Sequence, residues 1–544
     1  MTDPRPPLPI GINSLRTIID HGMAYVDKTA FAWDLARLPG RYFLSRPRRF
    51  GKSLFVDTLK ELFEGNEALF RGLWIHDRWD WSSRLPVIKL DFAAGVLDSR
   101  EGLDRRIYLL LRENAERLGI DGDPEQDIAG AFGTLIRQAH EATGQQVAIL
   151  VDEYDKPILD NLDDPERAAT LREGLKNLYS AMKAQDAHIH CVFMTGVTKF
   201  SKVSLFSGVN QLRDITLSSR FATLCGYTQQ DLETTFAAHL AGVDWDALKR
   251  WYNGYDFLGE PVYNPFDILL FISDNQRYRN YWFETGSPGF LIKLFQRHQY
   301  FLPSLETIAA SEEILDSFEI ERIDPVTLLF QTGYLTIDRV QEMFGQTLFV
   351  LRIPNQEVRL ALGNHLVDAY TGRLPSERLV WQKTLYDTLS GGDLEGLVAA
   401  IRRLFAGIPW RNFTNNDLAE AEGYYASVLY AFFASLVAEI IPEDISNHGQ
   451  VDLTVKLADY IYVIEIKTQR GQGDAALPAT EPAATDARLR NPALAQIQAR
   501  GYSAKYRGLP VKGLFEVGLV FDPAARNLAR ADWRAVDAVS GPSH

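Results

Sequence analysis

From Leu8 to about Cys225 the chain alternates short continuous apolar runs with longer stretches of helical period. The runs are Arg41–Ser45, Pro86–Phe92, Val147–Val151 and His190–Thr195. A strand buried on both faces needs a continuous apolar run, so runs separated by helices predict a parallel sheet covered on both sides. From about Gly226 to Phe405 the period is mostly helical and aromatic-rich, as in Trp251–Phe257 and Trp282–Phe295. From about Asn412 a long helix is followed by two alternating strands, a loose segment, a helix and a last strand near Phe515–Phe521. The loose segment, Arg470–Asn491, is rich in Ala, Gly, Pro and Thr, lacks apolar period and reads as a mobile loop. The residues after Val536 read as a tail. The pattern predicts an α/β chain in three domains, 1–225, 226–405 and 406–544, the middle one helical.

Chemistry enters where the first apolar run meets a helix expected to begin near Lys52. The run ends Arg46-Pro47-Arg48-Arg49-Phe50-Gly51-Lys52-Ser53. Gly-Lys-Ser is the second half of a P-loop: glycine lets backbone N–H groups close on phosphate, lysine meets the outer phosphates, and the serine hydroxyl can ligate magnesium. The glycine that opens the usual loop is replaced by Arg46. Between Arg37 and Lys60 stand seven basic residues (Arg37, Arg41, Arg46, Arg48, Arg49, Lys52, Lys60) and one acid, Asp57. So local a positive excess points to a polyanion. Arg48, Arg49, Phe50, Gly51, Lys52, Ser53 and Leu54 are the candidate nucleotide-binding residues on this side.

About a hundred residues on, Val147–Val151 ends in Asp152 and Glu153, the pattern of a Walker B strand. Asp152 would hold magnesium with Ser53, and Glu153 would polarise the attacking water. Thr195, at the end of the His190–Thr195 run, is the candidate γ-phosphate sensor, with Thr198 in reserve. For an arginine finger the chain offers only Arg213 and Arg220, and each reads more readily as structural than catalytic.

A second constellation lies near the C-terminal end. Gly449–Lys456 and Tyr460–Lys467 both alternate. If they form a hairpin turning at Ala458-Asp459, Asp452 lies across from Glu465, and Lys467 shares a face with Glu465. Ala-Asp is an unfavourable two-residue turn, so a longer loop is open, and a one-residue slip would part the carboxylates. Two facing carboxylates beside a lysine suit magnesium, which leaves positions for water and a phosphate oxygen. Asp452, Glu465 and Lys467 follow the PD-(D/E)XK pattern, with Glu422 on the preceding helix and Gln496, followed by Tyr502, on the next. Asp452 and Glu465 are the candidate metal ligands.

Composition narrows the class. At 544 residues, 46% hydrophobic and 24% charged, the chain folds as several domains rather than one core. A net charge of −14 argues against a protein that coats nucleic acid, and not against a cut made at one site. Two cysteines, Cys191 and Cys225, cannot staple a chain of this length, which suggests a reducing cytoplasm. Met1–Ile10 lacks a signal core, and Val428–Ile441 is too short to span a bilayer, so no membrane association is expected.

These segments fall in one known arrangement. The chain resembles the bacterial predicted AAA-ATPase-like family that carries a C-terminal PD-(D/E)XK nuclease-like domain. The resemblance rests on Leu8–Gly11, Tyr25–Thr29, Arg46–Ser53, Val151–Pro157, Phe206–Asn210, Trp251–Tyr255, Tyr263–Pro265, Gln331–Thr336 and Ile353–Val358. It implies a P-loop NTPase sheet with helices on both faces, a helical middle and a restriction-endonuclease-like α/β end. It also implies Arg46, because the family's loop reads Arg-Pro-Arg-Arg-Phe-Gly-Lys. Gln450 stands where arginine often precedes the first aspartate. The implied function is an ATPase coupled to a magnesium-dependent nuclease, with ATP and nucleic acid as partners, DNA being the expected form. A defence or mobile-element role suits it. The alternative is a nucleotide switch whose nuclease-like end only binds nucleic acid or a partner. Monomer and homo-oligomer are both open.

Overall fold

The computed structural model describes residues 5–121, 127–200, 212–282, 295, 300–316, 323–371, 375–408, 422–436, 438–469 and 491–536. The expected tail and the Phe206–Asn210 string lie outside these residues, as does the chain from Asn412 to the start of the Glu422 helix. So does the expected mobile loop, except for Asn491. The chain forms two compact units. The first holds 1–284 and 309–355, the second 285–308 and 356–544. Residues 226–405 are therefore shared between them.

The first unit is built on five parallel strands: β1 (Gly40–Ser45), β2 (Val87–Asp91), β3 (Val147–Asp152), β4 (Ile189–Gly196) and β5 (Arg213–Asp214). Their order is β2-β3-β4-β1-β5. Every residue of β3 is buried, and because alternate residues point to opposite faces, the sheet is covered on both. The four apolar runs became β1 to β4. The two-residue edge strand β5 carries Arg-Asp and has no apolar run to reveal it.

The other edge, β2, is closed by side chains. Asn114, on the helix Arg100–Leu118, accepts from Lys89 N at 3.0 Å and donates to Lys89 O at 2.8 Å. Arg106 donates to Asp91 O at 2.9 Å. A buried asparagine thus replaces a neighbouring strand where the edge would otherwise be unpaired.

The N-terminal segment joins the core of residues 226–282: Ala24 and Val26 pack with Leu232, Phe236 and Tyr252. Lys28 seals this with an ion pair to Asp231 at 2.8 Å. Further along, β6 (Ile308–Ser311), β7 (Thr336–Met343) and β8 (Gln346–Arg352) form a sheet in the order β6-β8-β7. The helical reading of the middle stretch thus gains a small sheet. Its hairpin turns at Phe344 and Gly345, both with positive φ.

The second unit holds a mixed sheet of β9 (Glu439–Ser446), β10 (Gly449–Leu457), β11 (Tyr460–Thr468), β12 (Gly513–Asp522) and β13 (Asn527–Val536), ordered β13-β12-β11-β10-β9. Only β11 and β12 are parallel neighbours, joined through the helix Pro492–Arg500. Asn491 caps that helix, accepting from Ala493 N and Leu494 N. The helix Glu422–Ala434 is buried from Tyr424 onward. β10 and β11 pair from Leu453–Ile464 to Leu457–Tyr460. The intervening turn is Ala458-Asp459, with φ of 48° and 68°. Two left-handed residues give the primed turn that matches strand twist, despite an alanine that disfavours it. The expected register therefore stands, without a longer loop.

Candidate functional site

The first unit gathers its candidate residues where β1, β3 and β4 end. After Ser45 the chain loops through Arg46–Gly51 and enters the helix Lys52–Phe63. Gly51, with φ 90°, caps the helix in a left-handed conformation that glycine adopts without strain. Arg49 also takes positive φ, 67°. Lys52 is buried, and its Nζ donates to Arg46 O and Pro47 O, both at 2.9 Å. Burial lowers its pKa, against the pull of Asp152.

Arg46 is a strut rather than a phosphate ligand. Fully buried, it donates to Ser45 O at 2.8 Å, Thr216 O at 2.9 Å and Phe221 O at 3.1 Å, with its guanidinium 3.9 Å from the centre of the Phe257 ring. Burial pushes its pKa down to about 10. Other charges of the basic run are also committed to structure. Arg41 donates to the carbonyls of Ile189 and His190, Arg37 lies over Trp33, and Lys60 pairs with Glu61 and Glu64. The expectation that the whole run faces a polyanion is corrected accordingly, leaving Arg48, Arg49 and Lys52 at the loop. Arg48 is half exposed, 3.8 Å from Asp160, and Arg49 stacks 3.7 Å from the Phe266 ring centre.

A cavity of about 340 Å³ opens beside the loop, lined by Arg49, Phe50, Gly51, Lys52, Ser53, Leu54 and Glu153 on one side and by Pro9, Tyr25, Cys225 and Phe266 on the other. The ring of Phe50 packs against Tyr255 and Phe257, at 4.8 and 6.0 Å between centres. Glu153 has φ 50°, and burial raises its pKa while Lys52 opposes the shift. Asp152 is 1% exposed. Its Oδ1 accepts from Glu153 N at 3.0 Å, and among the described residues its buried Oδ2 has no hydrogen-bond partner of good geometry. Burial pushes its pKa up to about 6, with the Ser53 hydroxyl opposing. The acid and the hydroxyl expected to share magnesium thus face each other, one oxygen still open.

Strand β4 lies between β1 and β3, with Thr195 paired to Leu44. Among the described residues its buried Oγ1 has no hydrogen-bond partner. Thr198, the reserve sensor, spends its hydroxyl on Asp155 at 2.7 Å, and neither threonine lines the cavity. Arg220 is paired with Asp34, its Nε at 3.0 Å, and neither Arg213 nor Arg220 lines the cavity. Neither therefore serves as a finger to the cavity of its own chain.

In the second unit Glu422, Asp452, Glu465, Lys467 and Gln496 converge. Lys467 Nζ lies 3.0 Å from Glu465 Oε1 and 3.4 Å from Glu422 Oε2. Glu422, the first residue of its helix, also accepts from Thr468 N at 3.3 Å. Gln496 donates to Glu465 Oε1, and its Nε2 is 3.5 Å from the Tyr502 hydroxyl. Asp452 Oδ2 accepts from Ile466 N at 2.6 Å, on the strand that carries Glu465. Glu465 is 2% exposed, and among the described residues its Oε2 has no hydrogen-bond partner. Burial, and then the charge of Asp452, push its pKa up to about 7. Asp452 is raised by burial too, with Ile466 N opposing. For Lys467 burial works downward, but the bond to Glu465 and the surrounding carboxylates leave its pKa raised.

Among the described residues no three His, Cys, Asp or Glu are gathered to hold a metal alone. Magnesium commonly takes one or two carboxylates and keeps its waters, and the open Glu465 Oε2 beside Asp452 fits that demand. Gln450, in the place of the expected arginine, lies 3.4 Å from Glu443.

Sequence reasoning missed Tyr154, Asp155 and Gln331, which surround the exit of β4. They stand in the strings Val151–Pro157 and Gln331–Thr336, but nothing in their spacing distinguishes them.

Comparison with known proteins places both sites in context. The model of a predicted AAA-ATPase matches residues 9–206, and that of the PD-(D/E)XK nuclease superfamily matches 420–531. A protein of Azotobacter chroococcum mcd 1, described as an uncharacterized protein in the vnfD 5' region, is 47% identical over 510 residues, 92% of this chain and 94% of its own.

Proposed function

We propose a function from one premise: the chain belongs to the predicted AAA-ATPase-like family and ends in a domain of the PD-(D/E)XK nuclease superfamily. The N-terminal part, 1–225, binds and hydrolyses ATP. The part from 406 cuts nucleic acid, DNA being the expected form, and 226–405 carries the nucleotide state between them. The protein works in the cytoplasm, as monomer or homo-oligomer, in defence or in control of mobile elements. No helix among the described residues is long and apolar enough to cross a membrane.

One observation carries this reading. Each unit holds a buried carboxylate with an open oxygen, Asp152 Oδ2 beside Lys52 and Glu465 Oε2 beside Lys467. Magnesium suits both donor sets, and when bound it supplies Lewis acidity at phosphate and lowers the pKa of its water. In the first site Lys52 exchanges the loop carbonyls for phosphate oxygens, Glu153 orients the attacking water, and Thr195 donates to the terminal phosphate. In the second, Gln496 and Lys467 occupy Glu465 Oε1 and leave Oε2 free. Glu422 steadies Lys467, whose ammonium orients water or phosphate.

The test is a cleavage assay of the full chain on single- and double-stranded substrates, with ATP or a non-hydrolysable analogue. Cleavage that a chelator abolishes is expected; no cleavage with magnesium or manganese under any nucleotide condition defeats the reading.

A second reading, a switch whose nuclease-like end only binds, is favoured by charge. Residues 447–544 carry 12 basic and 10 acidic side chains, a thin attraction for a phosphate backbone. Biological activity that survives alanine at Glu465 and Lys467 but not Lys52→Ala would select it.

A further inference from the structure

At the end of β3 the acids divide their work. Asp152 faces Ser53 and Lys52 and Glu153 lines the cavity, whereas Tyr154 and Asp155 turn to the chain leaving β4. Asp155 is 1% exposed, yet its carboxylate reaches no cation within ion-pair distance among the described residues. It accepts instead from Val197 N at 3.0 Å, from Thr198 N at 2.6 Å and from the Thr198 hydroxyl at 2.7 Å. Tyr154 N donates to Thr195 O at 3.1 Å, and the Tyr154 hydroxyl donates to Thr198 O at 3.0 Å. A Cβ at Gly196 would stand 2.4 Å from Asp155 Oδ1 and 2.6 Å from the Tyr154 ring. The strand end is therefore pressed against these two residues with no room for a side chain.

The same few residues are tied to the phosphate loop. Arg46 N donates to Gly196 O at 3.2 Å, and the Ser45 hydroxyl donates to Val197 O at 2.5 Å. Farther along, Lys199 N donates to Gln331 Oε1 at 2.9 Å. Gln331 lies on the helix Pro325–Thr332, and the glycine that ends this helix, Gly333, leaves space for Pro47 of the loop: a Cβ there would be 2.8 Å from Pro47. The exit of β4 is thus fastened at once to the strand of the catalytic acid, to the root of the phosphate loop and to a helix behind it.

We propose that Asp155 is a positioning residue of the nucleotide site: by holding Val197 and Thr198 it fixes the end of β4, and with it the spacing between Thr195 and Glu153. A buried carboxylate that spends its acceptors on two backbone N–H groups and one hydroxyl is costly to place by burial alone, and a neutral apolar residue would fill the space without holding the strand. The inference rests on the ATPase reading. A residue of this kind acts on the transition state more than on ground-state binding, because the bound nucleotide is gripped mainly by the loop and its cavity.

The experiment uses the full chain as wild type and as Asp155→Ala, Asp155→Asn, Thr198→Val and Lys52→Ala. It measures ATP hydrolysis, and binding of a fluorescent ATP analogue. Asp155→Ala should lower kcat about tenfold or more and change the analogue's Kd by less than about threefold. Asp155→Asn should recover part of the loss, since its amide oxygen still accepts from the backbone. Thr198→Val, which keeps shape and removes one donor, should lower kcat about threefold and stands in if Asp155→Ala does not fold. Wild-type kcat in both Asp155→Ala and Thr198→Val overturns the inference, as does a loss that lies wholly in Kd. Wild-type hydrolysis that Lys52→Ala removes isolates that failure from the ATPase reading. A wild-type chain that neither binds nor hydrolyses ATP overturns both.

Discussion

Glu465 is buried beside Asp452 and bonded to Lys467 and Gln496 through one oxygen, so its ionised form is held at a cost that a metal would relieve. Its pKa, raised to about 7 from the ordinary glutamate range, carries a stability consequence of definite sign. A carboxyl that binds its proton more tightly when folded stabilises the fold below its unfolded pKa, and that contribution is lost as pH rises through about 7. In chelator, the urea midpoint of the wild type should therefore fall between about pH 5 and about pH 8 by more than that of Glu465→Gln, which cannot ionise. Equal pH dependence in the two proteins would contradict this assignment. Cleavage runs the other way, rising with pH because the ligand must be ionised, and bound magnesium should move its midpoint below that of the metal-free carboxyl.

Elements deliver these side chains, and two close approaches show how. Gly518 on β12 lies directly under the helix Pro492–Arg500: a Cβ there would be 2.3 Å from Leu494 N and 2.9 Å from Asn491 Oδ1. Gly518→Ala should push the start of that helix away, draw Gln496 from Glu465 and reduce cleavage, with ATP hydrolysis unchanged. Equal cleavage by the variant would show that the helix start has room to adjust. At the edge of the parallel sheet, Asn114→Leu would strand both the N–H and the C=O of Lys89. A loss of about 1–3 kcal/mol in urea unfolding is expected, with self-association through the opened edge, checked by light scattering. Such contacts were not legible in the chain. Strands β1 to β4, β10, β11 and β12 announce themselves by apolar runs or alternation, because burial of one or both faces demands it. Strands β5, β9 and β13 do not: β9 contains Pro442, and β13 carries three charges in ten residues and fully buries only Leu528, so neither needs an apolar pattern. In the sites, the acids at Asp152, Glu153, Asp452 and Glu465 follow from strand ends and register. Arg46 as a strut, Thr198 as a ligand of Asp155, and the commitment of most basic residues to carbonyls and ion pairs depend on contacts distant in sequence, which no local spacing encodes.

At the scale of the whole molecule, a net charge of −14 is distributed so that neither site depends on a broad positive surface. Around the phosphate loop the cations are Arg48, Arg49 and Lys52, and residues 447–544 have an excess of only two positive charges. Nucleic acid that meets so small a positive excess should show a shallow salt dependence, because few phosphates are neutralised and few counterions released, and affinity should come from the metal site itself. This bears on how two activities share one chain. If ATP serves the nuclease, removing the P-loop lysine must affect both, whereas removing a nuclease ligand must affect one. Lys52→Ala is expected to lose ATP hydrolysis together with any ATP effect on cleavage, and Glu465→Gln to lose cleavage by about a hundredfold or more, beyond the roughly 10–100-fold that loss of a ligand's outer partner costs, with hydrolysis intact. Both variants keep buried volume nearly unchanged or smaller, so circular dichroism can verify that each is folded before rates are compared. Cleavage by Lys52→Ala at the wild-type rate, with and without ATP, would mean that the two sites work independently. Loss of hydrolysis in Glu465→Gln would mean that the second site feeds back on the first, as linkage allows when ligands at two sites bias one common equilibrium.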